Sequence, residues 1–274
     1  MSAAAEITRK AKSNLALALR LLPKERREDM TVFYAFCRVV DDIADDTSIP
    51  AGRRRELLDG WEQGLRQGFP PENGLGREVE GMMKRRGIPV EWMLEIIAGC
   101  AMDLEVLRFQ GWEELSRYNW KVAGVVGLVS TRIFGCVHED SDKYAETLGH
   151  ALQLTNILRD VGEDLANGGR IYLPINDMIR FQYSERDLVG KVYDGRFFAL
   201  MSYEAERAEH YFAEAEKLIP AVDRRALLPA RMMAEVYRQL LQRMRAGKFR
   251  VFDKRHSLPR ICKAWILVKY LVAR

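Results

Sequence analysis

The stretch LTNILRDVGEDLANGGRIYLP, residues 154 to 174, governs the reading of the whole chain. Together with Leu152 just before it, Leu154, Ile157, Leu158 and Val161 recur with the period of an α-helix. At about 100° per residue, side chains four apart stand within about 40° of each other. Gln153, Asn156, Asp160 and Asp164 therefore form one polar ladder in an otherwise apolar segment. A helix destined for a core carries apolar groups on such a stripe, so this ladder is expected to look into something polar. Gly162 lies between the two aspartates. A mid-helix glycine costs roughly 1 kcal/mol against alanine, and the missing side chain leaves room for a ligand or a second backbone. Asn167, Gly168 and Gly169 end the helix, and Arg170 to Pro174 turn the chain away.

A second ladder stands in TVFYAFCRVVDDIADD, residues 31 to 46, where Tyr34, Arg38, Asp41 and Asp45 share a stripe flanked by Phe33, Phe36, Val39, Val40 and Ile43. One such carboxylate pair is ordinarily a solvated face, and Arg38 has Asp41 and Asp42 at ion-pairing spacing on its own helix. Two ladders of the same spacing, both on greasy helices, call for another explanation. Carboxylates facing one another across a cavity repel unless cations lie between them or one is protonated. Oxygen-only donors select magnesium or manganese over zinc, and magnesium keeps waters and is completed by substrate phosphates. The expected site thus holds a diphosphate through bridging metals, with Arg38 and Arg159 completing the anion site and a hydrocarbon tail in the apolar bundle.

Histidine-based catalysis is not expected, since His138, His150, His210 and His256 share no ladder. GLGREVEG, from Gly74 to Gly81, misses the dinucleotide fingerprint and follows no strand. Helix-period segments are expected at 5–20, 24–46, 51–68, 76–86, 90–108, 112–135, 140–166, 194–218, 222–246 and 259–273, punctuated by proline and glycine. No alternating strand pattern persists. The expected fold is an all-α bundle over a single domain, residues 1–274, because no linker, low-complexity tract or repeat interrupts the chain.

A net charge of +4, with 30% charged residues, is too balanced to point to nucleic acid. Cys37, Cys100, Cys136 and Cys262 are scattered, which argues against a zinc site or disulfide framework and suits a reducing cytoplasm. The first residues lack the layout of a secretory signal, so the mature chain is expected to start here. The apolar run from Val122 to Val129 is far below the roughly 18 residues of a spanning helix. Near the end, residues 255 to 274 interleave Lys and Arg with Trp265, Ile266, Leu267, Tyr270 and Leu271. Two readings stand for this tail: a helix lying on an anionic membrane surface, or a last helix packed on the core with solvated lysines.

Three stretches together resemble the signature regions of the squalene/phytoene synthase family, the head-to-head prenyl diphosphate synthases: YAFCRVVDDIADD, RYNWKVAGVVGLVSTRIFG and LQLTNILRDVGEDLANGGRIYLP. They occur in family order at family spacing, and the likeness runs over nearly the whole chain. It is strongest to the bacterial presqualene diphosphate synthases of hopanoid biosynthesis. The resemblance implies an all-α isoprenoid-synthase bundle with a central cavity, Mg2+ (or Mn2+) as cofactor, and NADPH only if the reaction runs on to squalene. It implies Asp41 and Asp45 as one metal-binding pair and Asp160 and Asp164 as the other. Tyr34, Arg38, Tyr118, Arg159 and Tyr237 match catalytic positions, and Val122, Gly127, Gln153 and Asn156 match substrate contacts. The partners implied are prenyl diphosphates. Two farnesyl diphosphates giving presqualene diphosphate is the expected reaction, with phytoene or dehydrosqualene synthesis as the alternative.

Two departures bear on this. Asn14 and Leu15 stand where the family has a Ser-Phe pair, and Tyr118, Asn119 and Trp120 replace a Tyr-Cys-Tyr pattern, so the indole either reshapes a tail channel or packs outward. A chain-elongating synthase also uses paired acidic motifs, and DDIAD fits its form, but DVGED lacks the second doubled aspartate. Family relatives that act as scaffolds have lost metal carboxylates, whereas all four aspartates stand here.

Overall fold

The structure is a computed structural model that describes residues 2–10, 18–105 and 108–272. Asn14 and Leu15, with their departure from the family pattern, lie outside the described residues. Thirteen α-helices are described, and no strand occurs among the described residues. They are α1 (Ala3–Lys10), α2 (Lys24–Asp45), α3 (Ala51–Gln67), α4 (Gly74–Arg86), α5 (Val90–Met102), α6 (Trp112–Asn119), α7 (Val125–Phe134) and α8 (Asp140–Ala166). After them come α9 (Ile175–Arg180), α10 (Glu185–Val189), α11 (Gly195–Lys217), α12 (Leu228–Ala246) and α13 (Arg260–Val272). The all-α expectation is met.

Boundaries differ where tertiary contacts intervene. The segment expected to run to 108 leaves the helix at Met102, and three-residue turns follow at Asp103 to Glu105. The segment expected over 112–135 is interrupted by a π-helical turn, Trp120–Gly124, between α6 and α7. α12 begins at Leu228 rather than 222 because Asp223 is drawn away: its buried carboxylate accepts from the backbone N–H of Val137 and His138 and from the Ser141 hydroxyl. The short α9 and α10 carry too few periodic residues to be seen in sequence. Pro174 opens α9, and a Ser184–Asp187 capping box opens α10.

α8 runs through the middle, packed against α11, α7, the π turn, α12 and α6, while α2 packs on α1, α3, α4, α5 and α7. Each helix organises its own apolar cluster, one including Leu154, Leu158 and Met201, the other Phe33, Phe36 and Ile97. Glycines set the closest approaches. A Cβ on Gly149 would stand 2.7 Å from the backbone nitrogen of Gly124, so α8 meets the π turn there backbone to backbone. A Cβ on Gly162 would stand 2.5 Å from the Val251 carbonyl oxygen. The second backbone that Gly162 admits is therefore the strap between α12 and α13. No helix among the described residues is long and apolar enough to cross a membrane.

Candidate active site

α2 and α8 turn their polar ladders toward one cavity of about 1360 Å³. Tyr34, Arg38, Asp41 and Asp45 line it from α2, and Gln153, Asn156, Arg159, Asp160 and Asp164 from α8. Tyr118 joins from α6 and Tyr237 from α12. Two substrate positions carried by the resemblance do not line it. Gly127 sits where α7 crosses α8, and a Cβ there would stand 2.8 Å from the Ala145 carbonyl oxygen, so its smallness serves helix packing. Val122 lies in the π turn, against Gly99 of α5. Trp120 does not line the cavity either: its indole N–H donates to Glu146 at 2.8 Å on the flank of α8.

The cavity is electrostatically unbalanced at two carboxyls. Asp41 is pushed up to about 7, first by burial and then by Asp45, although Arg38 opposes this from 3.6 Å. Asp164 is pushed up to about 8 by burial and by Asp160. Their ladder partners are committed to cations. Asp45 receives Arg170 at 2.5 Å, and Asp160 receives Arg159 at 2.8 Å and Arg255 at 3.2 Å. Lys263, also lining the cavity, is held below the usual lysine range, first by burial and then by Arg159 and Arg260. The site thus carries crowded carboxylates and crowded cations side by side.

Several lining groups were not legible in sequence. Asp103, just past the end of α5, accepts from the Tyr118 hydroxyl at 2.9 Å and the Tyr172 hydroxyl at 2.7 Å. The two rings stack with centroids 5.4 Å apart. Arg170 donates to the backbone oxygens of Ala44 and Asp103 as well as to Asp45, tying α2 to the end of α5. Arg255 comes from the strap and reaches both Asp160 and Glu163. His256 lines the cavity too, and burial keeps its pKa low. Arg170 directly after NGG and Arg255 in the basic stretch that precedes α13 were the local signals.

Among the described residues, no three His, Cys, Asp or Glu side chains stand close enough to hold a metal by themselves. The donor set nevertheless fits a hard divalent cation completed by phosphate oxygens and water. The donors are carboxylates, two of them raised by burial and then by neighbouring negative charge. The Asn156 side-chain oxygen is buried in this wall and accepts no hydrogen bond, while its amide donates to Gln153 at 3.3 Å. An orphaned acceptor oxygen beside under-neutralised carboxylates suits a cation.

Comparison with known proteins accords with this geometry. The family profile described as Squalene/phytoene synthase matches residues 8–262. The chain is 35% identical over 269 residues to a 15-cis-phytoene synthase of Synechocystis sp., covering 93% of this chain and 79% of that protein. It is 34% identical over 264 residues to a presqualene diphosphate synthase of Rhodopseudomonas palustris, covering 95% and 93%. The crystal structure of a dehydrosqualene synthase in complex with a ligand superposes with a TM-score of 0.84 at 28% identity, covering 98% of this chain and 94% of that one. The chain therefore belongs to the squalene/phytoene synthase family of head-to-head prenyltransferases.

Proposed function

We propose that this enzyme condenses two farnesyl diphosphates head to head, releasing diphosphate and forming presqualene diphosphate. The observation that carries the reading is the pair of carboxylate ladders opposed across one cavity, with Asp41 and Asp164 raised and Asn156 left without a donor. Divalent-metal dependence is a general property of the family. Magnesium, or manganese in its place, would be held by Asp41, Asp45, Asp160 and Asp164. Such an ion neutralises charge on a departing diphosphate.

The chain's own residues do the rest. Arg38, Arg159, Arg255 and Lys263 meet the negative charge that grows as the C1–O bond of the donor breaks. The allylic cation left behind is captured by a double bond of the second substrate, and loss of one proton closes a cyclopropane. Capture outruns hydrolysis only if water is excluded and the double bond is held close. Tyr118 and Tyr172, fixed by Asp103, and Tyr237, which also lines the cavity, offer ring faces to a cation. A presqualene diphosphate synthase matched at 34% identity over 93% of its length supports this reading, and the phytoene synthases matched at 35% identity support the alternative.

Purified enzyme given magnesium and farnesyl diphosphate, without NADPH, is expected to accumulate presqualene diphosphate, as read by mass spectrometry. Phytoene from geranylgeranyl diphosphate, with no turnover of the shorter substrate, would overturn the product assignment. Squalene formed only with NADPH would extend it by one reductive step.

We also propose that α13 rests on the membrane that receives the oily product. α13 has one apolar face packed on the core and a second apolar stripe left exposed, which supports this reading. Ile266, Leu267 and Tyr270 are buried on the core, while Ile261, Trp265, Val268 and Val272 are 69%, 71%, 50% and 83% exposed along another stripe. Lys254 and Arg260, exposed near its beginning, supply the charge that anionic lipid attracts. Burying one such side chain contributes about 1.5–3 kcal/mol. The double variant Ile261→Ser, Trp265→Ser is thus expected to bind phosphatidylglycerol vesicles at least about tenfold more weakly in sedimentation. Equal partitioning of the variant and the parent would count against the proposal.

A further inference from the structure

Behind α12 lies a second cavity, of about 440 Å³, between α8, α11, α12 and α13. It shares no lining residue with the reaction cavity. Val236, Tyr237 and Leu240 face the reaction cavity, whereas Ala234, Arg238 and Gln242 face this one, which at about 100° per residue are opposite sides of one helix. Leu148, Phe212, Ala215 and Ile219 give it an apolar floor.

Two polar groups at the edge of that floor lack the partners their neighbours have. Tyr144 is 2% exposed, lines the cavity, and its hydroxyl is buried with no hydrogen-bond partner. Buried hydroxyls in folded proteins are nearly always satisfied, so an unpartnered one on a side chain that lines a cavity marks a place where a partner is wanting. Arg231 forms no ion pair among the described residues. Its neighbours do: Arg238 reaches Glu209 at 3.0 Å, and Lys269 reaches Glu235 at 2.7 Å. The Arg231 guanidinium lies 5.9 Å from the ring centre of Tyr270, whose hydroxyl donates to the Arg231 backbone oxygen at 3.1 Å.

A hydroxyl donor and an unpaired cation beside an apolar floor recognise an amphiphile with an anionic head. We infer that this cavity is a second binding site, separate from the reaction cavity, for a single aliphatic or prenyl chain ending in a carboxylate or phosphate. The chain would lie on Leu148, Phe212 and Ile219, and the head would accept from Tyr144 and Arg231. The volume suits one chain rather than two, at the small end of ligand cavities.

Equilibrium dialysis tests this on the full chain, with the reaction cavity saturated by magnesium and inorganic diphosphate. The probes are radiolabelled dodecanoate and dodecyl phosphate, each below its micellar concentration. Saturable binding of one equivalent is expected. Preference for dodecanoate identifies an acyl carboxylate as the natural head, and preference for dodecyl phosphate an alkyl or prenyl phosphate. Arg231→Met is expected to weaken binding about 10- to 100-fold, the usual loss for a charged hydrogen bond. Ala234→Trp, which fills the cavity, is expected to abolish it. Absence of saturable binding by the parent chain, or unchanged affinity in Arg231→Met, overturns the proposal.

Discussion

Asp41→Ala is expected to reduce turnover of farnesyl diphosphate by at least about 10²- to 10³-fold, the usual loss when one group that stabilises developing charge is removed, while circular dichroism shows an intact helical fold. The same is expected of Asp45→Ala, Asp160→Ala and Asp164→Ala. Stability should move the other way at Asp164. Its carboxyl rises from an ordinary value of 3.8 to about 8 on folding, through burial and then through Asp160. An acid raised by folding contributes stability that is fully present below its unfolded pKa and is lost as pH rises through the folded one. In EDTA, the parent protein should therefore lose thermal stability between pH 4 and pH 8. Asp164→Asn, which cannot ionise, should unfold at a higher temperature than the parent at pH 8 and show no such gain at pH 4. Full turnover by any two of the four alanine variants would remove the metal assignment, and equal melting of Asp164→Asn and parent at pH 8 would remove the electrostatic account of the cavity.

Gly162→Ala has the second largest expected effect. An alanine normally stabilises a mid-helix position by roughly 1 kcal/mol, so propensity alone predicts a more stable protein. The new methyl would instead meet the Val251 carbonyl oxygen at 2.5 Å and the Phe252 Cα at 3.1 Å, both backbone atoms that cannot rotate away. Overpacking of this kind costs about 1–3 kcal/mol. The strap must shift, and with it Arg255, which reaches Asp160 at 3.2 Å, and His256 and Leu258 in the cavity wall. A displacement of about 1 Å near reacting groups lowers rate about 10²-fold. Denaturant unfolding and steady-state turnover should both fall. A variant that gains stability and keeps its rate would show that the strap has no part in the site.

Both predictions turn on what was legible in the sequence. The positions of Asp41, Asp45, Asp160 and Asp164 were, because a step of four along a 3.6-residue helix puts two side chains on one face whatever the rest of the chain does. The apolar flanks of both ladders were legible for the same reason. Arg170 was visible only as the first residue after a helix stop, and nothing local says that it reaches Asp45, 125 residues away. Asp103 fell inside the segment expected as helix over 90–108, and its capture of two tyrosine hydroxyls depends on where Tyr172 arrives after α8. Gly127, carried over as a substrate contact, turns out to make room for α8. A glycine's lack of a side chain serves a ligand and a neighbouring backbone equally well, and sequence does not say which one comes.

Sequence alone determined the all-α class, the two acidic ladders and the family, since periodicity and motif order are properties of the chain read locally. Tertiary structure alone decided that the ladders face one cavity, that Arg170 and Arg255 neutralise one carboxylate of each pair while Asp41 and Asp164 stay raised, and that α13 buries one apolar face and exposes another. The reason is that a charge acts through distance and burial. Which groups end up within a few ångströms, and how much water remains between them, is set by the packing of α2, α8 and the segment of α12 and the strap, which sequence spacing places far from one another.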